Sequence, residues 1–119
     1  MPFLGENIGL WRDKDVIDPE GGKIGSLESV YVDTANDDPI FAGVKAGMIG
    51  RHRILFVPLQ GATVGPGYVR VRFDKDLAKN APGIDVDGEL PAEQEPAIFT
   101  HYGLAYSAGP TGGRRLARR

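Results

Sequence analysis

The sequence contains no cysteine, which excludes disulfides, thiolate metal sites and thiol nucleophiles. It has two histidines, His52 and His101, too few for a histidine-rich metal set. His52, flanked by arginines, reads as a surface strand residue, and His101 as a group placed near a helix C-terminus. No apolar run reaches the ~18 residues that would span a bilayer, and residues 1–7 lack the basic and apolar regions of an export signal. The expectation is a soluble, cytoplasmic protein without a membrane span. Nucleotide loops are missing too, because Gly43-Val44-Lys45-Ala46-Gly47 with Gly50 meets neither P-loop nor dinucleotide spacing. Ser26, Ser29 and Ser107 have no nucleophile-elbow context. Asp85-Val86-Asp87-Gly88-Glu89 lacks the ligand spacing of an EF-hand and reads as a solvated acidic loop. The chain is therefore read as non-enzymatic, with no catalytic residue, cofactor or metal site.

What is present is ordinary for a small globular protein. The 119 residues, 41% hydrophobic and 25% charged, suit one domain with some length left for an extension. The net charge of −2 is unevenly spread: four arginines in residues 110–119 leave residues 1–109 at −6. A body that acidic is a poor nucleic-acid binder. Nucleic acid is expected, if at all, only through the arginine-rich tail.

Strand signals begin at Asp15-Val16-Ile17-Asp18, followed by the turn Pro19-Glu20-Gly21-Gly22. In the stretch from Gly22 to Asp33, Gly22 and Gly25 permit close backbone approach where a side chain would clash. Val30 and Val32 alternate with Tyr31, the period of a strand buried on one side. Asn36-Asp37-Asp38-Pro39 reverses the chain, and residues 40–46 return. Residues 51–58 have a continuous apolar centre, which predicts burial on both faces. A short strand at residues 60–64, a turn at Gly65-Pro66-Gly67 and an alternating strand at residues 68–73 complete the series. In the last strand Val69, Val71 and Phe73 are expected in the core, with Tyr68, Arg70 and Arg72 outward. Trp11 reads as a core or lid residue.

After Phe73 the signals turn helical. Residues 74–81 make a short helix with acids at its start and Lys79 near its end. Residues 91–102 make a second, with Pro96 marking its start and Gly103 its C-terminal cap. Ile98 and Tyr102 form one apolar stripe for docking on the strands. The predicted fold is mainly β: a small antiparallel β-barrel over residues 1–74, a short helical extension over 75–106 packing on it, and a flexible arginine-rich tail over 107–119.

The ordered series resembles the PRC-barrel domain. It is carried by Asp15-Val16-Ile17-Asp18, Gly22-Lys23-Ile24-Gly25, Val30-Tyr31-Val32-Asp33, the return at residues 41–46, Val57-Pro58-Leu59 and Val69-Arg70-Val71. The resemblance covers residues 10–73, and the extension is similar to the tail of small stand-alone bacterial members. It implies a six-stranded barrel of an adaptor type that docks on other macromolecules and has no shared catalytic residues. The family includes the cytoplasmic domain of the photosynthetic reaction-centre H subunit and the C-terminal domain of the ribosome-maturation factor RimM. The implied role is a protein-interaction module, with a homodimer or higher oligomer as its expected state. The alternatives are an RNA- or ribosome-associated module and an H-subunit-like docking domain.

One surface stands out as a candidate interaction face: Arg51, Arg53, Tyr68, Arg70 and Arg72, residue types favoured at interfaces. Its competing reading is intramolecular, with these arginines pairing to the acidic connector over residues 85–95.

Overall fold

β2 (Lys23–Asp33) is the strand around which the sheet is assembled. Its first half pairs antiparallel with β1 (Asp15–Ile17), and its other edge pairs with β3 (Pro39–Met48). β4 (Arg51–Pro58) continues the meander on β3. β5 (Thr63–Gly65) and β6 (Tyr68–Arg70) form a hairpin that joins the sheet through β1. Its turn, Gly65-Pro66-Gly67, has Pro66 and then Gly67 at φ 78°, the geometry of a type II turn. α1 (Lys75–Lys79) follows, then β7 (Gly83–Asp85) on the free edge of β4. A 3-10 turn (Ala92–Gln94) leads into α2 (Glu95–His101), and β8 (Leu116–Arg118) pairs with the end of β2. This computed structural model describes residues 11–48, 51–86, 88–106 and 114–118, with backbone alone at Met48 and Arg51.

The fold is mainly β with a short helical C-terminal extension, as the strand pattern predicts. Three details differ. The pairing of β1 with β6 is parallel. The ladder runs in the order β5-β6-β1-β2-β3-β4-β7, and no pairing closes β5 onto β7 among the described residues. The strand expected over residues 68–73 ends at Arg70. Val71 still donates its N–H to the Ile17 carbonyl at 2.9 Å, but beyond it the chain leaves the sheet. Val69 and Val71 lie in one core while Phe73 packs on the other.

Those two cores explain the shape of the molecule. The first gathers Val16, Leu27, Val30, Val32, Val44 and Val57 inside the curved sheet, with Trp11 and Ala78 of α1 at its margins. The second lies on the opposite face of β2, β3 and β4, where Tyr31, Phe41, Ile54 and Phe56 meet Ile98, Phe99 and Tyr102 of the extension. β4 is buried on both faces, as its continuous apolar run predicts. β2 is too: Tyr31 is 3% exposed, which corrects the expectation that β2 is buried on one side. The alternation at Val30-Tyr31-Val32 separates two cores rather than core from solvent.

The extension seals the second core with directional contacts. Phe99 meets Phe41 edge-on at 5.1 Å, and the buried Tyr102 hydroxyl donates to the Phe56 carbonyl at 2.6 Å. Burial without a compensating cation pushes the Tyr102 phenol pKa well up. α2 begins after the 3-10 turn with Pro96 in its first turn, and Gly103 at φ 71° follows its end. Both features follow the sequence signals.

The last segment is the main correction. Residues 114–118 are not a flexible tail: Leu116 is fully buried and β8 pairs with Tyr31, Val32 and Asp33. A buried leucine and a strand ladder stabilise what composition alone reads as solvated. Residues 107–113 and Arg119, also assigned to that tail, lie outside the described residues.

Candidate functional site

Glu95 organises the C-terminal half. It is fully buried at the start of α2, where its carboxylate accepts four hydrogen bonds. Arg115 N–H lies 3.0 Å from Oε1 and 3.1 Å from Oε2, Leu116 N–H 2.9 Å from Oε2, and the Tyr106 hydroxyl 2.7 Å from Oε1. A carboxylate removed from water survives when its oxygens are satisfied in this way. Desolvation, then hydrogen bonding to Glu95, raises the Tyr106 phenol pKa. The arginines around this lock have specific partners. Arg115 Nε reaches Asp33 Oδ2 at 3.2 Å and its guanidinium lies over Phe99 at 5.2 Å. Arg118 pairs with Glu28 at 2.9 Å, and Arg114 donates to the Leu90 carbonyl at 2.6 Å.

The extension covers the sheet's second face, and an opening lies at its rim. An open groove of about 830 Å³ runs between the start of β3, the end of β4 and the far end of α2. Ile40, Leu59, Ala62 and Phe99 give it an apolar floor, and Leu104 walls it. It reaches Thr63, the first residue of β5. The second edge of β5 carries no strand partner among the described residues.

The candidate face inferred from sequence divides around this groove. Arg70 is the register partner of Thr63 and lies near the Tyr68 ring, its guanidinium carbon 5.8 Å from the centroid. Arg72 covers Gly61, a groove residue: a Cβ there would sit 2.1 Å from the Arg72 Cδ. Arg72 therefore borders the groove, whereas Tyr68 packs at Gly65 and Arg70 donates from Nη1 to the Pro19 carbonyl at 3.4 Å. Arg53 is placed elsewhere, on β4, donating to the Gly83 carbonyl at 3.0 Å. β1, β2 and β3 separate its strand from β6 in the sheet order. The side chain of Arg51 lies outside the described residues. Among those residues no ion pair joins Arg53, Arg70 or Arg72 to the acidic connector. Asp33 and Glu28 do pair with arginine, and their partners come from the C-terminal segment.

The remaining candidates resolve into structural roles. His101 Nε2 lies 2.7 Å from the Leu77 carbonyl, tying α2 to α1. Asp85 ends β7 and its carbonyl accepts from Gly88 N–H at 2.9 Å, while Asp87 lies outside the described residues. Asp33 and Asn36 accept backbone N–H groups two residues on, at 2.8 and 2.9 Å, the side-chain-to-backbone bonds typical of turns. Among the described residues no three His, Asp or Glu side chains are grouped to hold a metal ion.

The family model for the PRC-barrel domain matches residues 7–78, more than half of the chain. The chain belongs to the PRC-barrel domain family. The match spans β1 to β6 and stops inside α1, so the PRC-barrel unit supplies the first core and most of the groove floor. β7, α2 and β8 lie beyond it, and with them Glu95, Phe99 and Leu104. No curated protein matches the sequence. The described helices include none long and apolar enough to cross a membrane.

Sequence reasoning misses Glu95, which reads as a helix-start acid suited to the dipole. A signal was present: Glu95, Ile98, Phe99 and Tyr102 follow i, i+3, i+4, i+7 spacing, so the acid shares the apolar stripe. Leu116, a lone large apolar residue among arginines, is the matching sign in the last segment.

Proposed function

We propose that this PRC-barrel protein is a non-enzymatic docking module whose groove takes an extended, apolar segment with acidic flanks from a protein partner. The observation that carries this reading is the pairing of an apolar floor, Ile40, Leu59 and Ala62, with Arg72 at its border. An apolar centre with a polar, arginine-bearing rim is the usual anatomy of a protein interface. The edge of β5 that carries no strand partner among the described residues offers backbone groups to an added strand, a mode that couples main-chain hydrogen bonds to side-chain pockets. The other broad surface of the sheet is less suited, because the extension already occupies it. Engagement of Arg114, Arg115 and Arg118 with the chain's own groups supports protein docking over an RNA-binding tail.

The test is selection from a displayed library of unstructured peptides against the wild type. The expected winners are apolar with flanking Asp or Glu. They should lose binding to Ile40→Glu and weaken on Arg72→Glu. Winners that bind Ile40→Glu as well as wild type would overturn the groove assignment.

A further inference from the structure

Three of the five lysines in the chain, Lys23, Lys45 and Lys79, line one cleft of about 420 Å³ together with His52. The fold brings them there from four elements. Ser26 on β2 is the register partner of Lys45 on β3, and Gly47 on β3 is the partner of His52 on β4. Lys79 comes from the last turn of α1, which packs on β2 and β4. The floor is made of small residues, Gly25, Ser26, Ala46 and Gly47, so space is left between the cationic walls. No carboxylate lines the cleft among the described residues. Of the three lysines, Lys23 also pairs with Asp15 at 3.1 Å, both side chains being exposed.

Like charges gathered in a concave site repel one another and concentrate their field on any anion that enters. This happens on a body of charge −6 over residues 1–109, so the cleft is no by-product of a generally basic surface. From this geometry we infer a binding site for a small phosphate-bearing ligand, held by the three ammonium groups with the Ser26 hydroxyl as a further polar contact. The volume lies in the range of small-ligand pockets. Recognition here comes from side chains, which is why the absence of P-loop spacing does not exclude it. The site is separate from the groove.

Calorimetric and NMR titration of the full chain with pyrophosphate at low salt tests the assignment. Saturable binding should move the amide signals of Gly25, Ser26 and Gly47. It should weaken about tenfold or more in K45A/K79A, and stay unchanged in R70A. K45Q/K79Q serves if the alanine pair alters thermal unfolding. A second arm uses phosphatidylcholine vesicles containing phosphatidic acid. Binding there, in competition with pyrophosphate, assigns a lipid headgroup, and pyrophosphate binding without vesicle binding assigns a free phosphate compound; either supports the site. No saturable response in either arm, equal weakening in R70A, or retention of an RNA oligonucleotide without a pyrophosphate response would overturn it.

Discussion

The backbone N–H of Leu116 donates to Glu95 Oε2 at 2.9 Å, and both residues are fully buried. That contact joins the first turn of α2 to the strand that completes β2. Replacing Glu95 with Ala leaves the Arg115 and Leu116 N–H groups and the Tyr106 hydroxyl without their acceptor. The expected cost is about 3 kcal/mol or more, since each buried unsatisfied donor costs roughly 1–3 kcal/mol. Glu95→Gln keeps one acceptor oxygen and the shape, and should cost less. Urea midpoints of the three proteins check the order.

The two ion pairs of the last segment should differ in weight. Arg118 and Glu28 are 45% and 31% exposed in their side chains, whereas Arg115 and Asp33 are 23% and 11% exposed. Arg118→Ala is expected to cost about 0–1 kcal/mol, as exposed pairs do. Arg115→Ala also removes the contact over Phe99 and should cost about 1–2 kcal/mol. Equal losses in thermal or urea unfolding would contradict this ranking.

At Gly25 a Cβ would lie 2.3 Å from the Lys45 carbonyl oxygen and 2.8 Å from Val44 Cγ1. The obstacle is backbone, so it cannot swing aside. Gly25→Ala should force β2 away from β3 and destabilise by about 2 kcal/mol or more. Gly22→Ala, facing the Asp18 carboxylate at 3.2 Å, should be milder. Unfolding midpoints of the two variants provide the comparison.

That glycine was legible in the sequence, and so was most of the PRC-barrel unit. Turn residues at Gly21-Gly22, Asn36 to Pro39 and Gly65-Pro66-Gly67 mark reversals through local backbone preference, which composition reveals. The apolar run Ile54-Leu55-Phe56-Val57 announces burial on both faces for the same reason. Tyr31 misled because one aromatic between valines looks like a solvent-side residue until a second layer is known to cover it. β7 and β8 were hidden because each exists through its partner. Arg115-Leu116-Ala117-Arg118 becomes a strand where Glu95 and the end of β2 receive it. The groove was invisible for a related reason: its walls come from segments separated by some sixty residues, and no local pattern links Ile40 to Leu104.

Asp18 gives the fold an acid-side dependence. Its carboxylate accepts Gly22 N–H at 2.7 Å, Glu20 N–H at 3.0 Å and Lys75 N–H at 3.3 Å. The Gly22 bond is the main cause of a pKa below the usual value, with burial opposing it. A lowered folded-state pKa means that the stabilisation is complete above the unfolded value of ~3.9 and is lost as pH falls through the folded one. Stability followed from pH 6 to pH 2 should decline on this limb, and Asp18→Asn should flatten that part of the curve. An unchanged acid limb in Asp18→Asn would count against it.

The arginine-bearing C-terminal segment is a strand of the fold, locked by Glu95. Amide hydrogen exchange at Arg115 and Leu116 tests this most directly. In the wild type both amides should exchange slowly, on the timescale of the β2–β3 ladder, and in Glu95→Ala they should lose protection before Val30 and Val44 do. Exchange of Arg115 and Leu116 at the rate of an unstructured chain in the wild type would contradict the account.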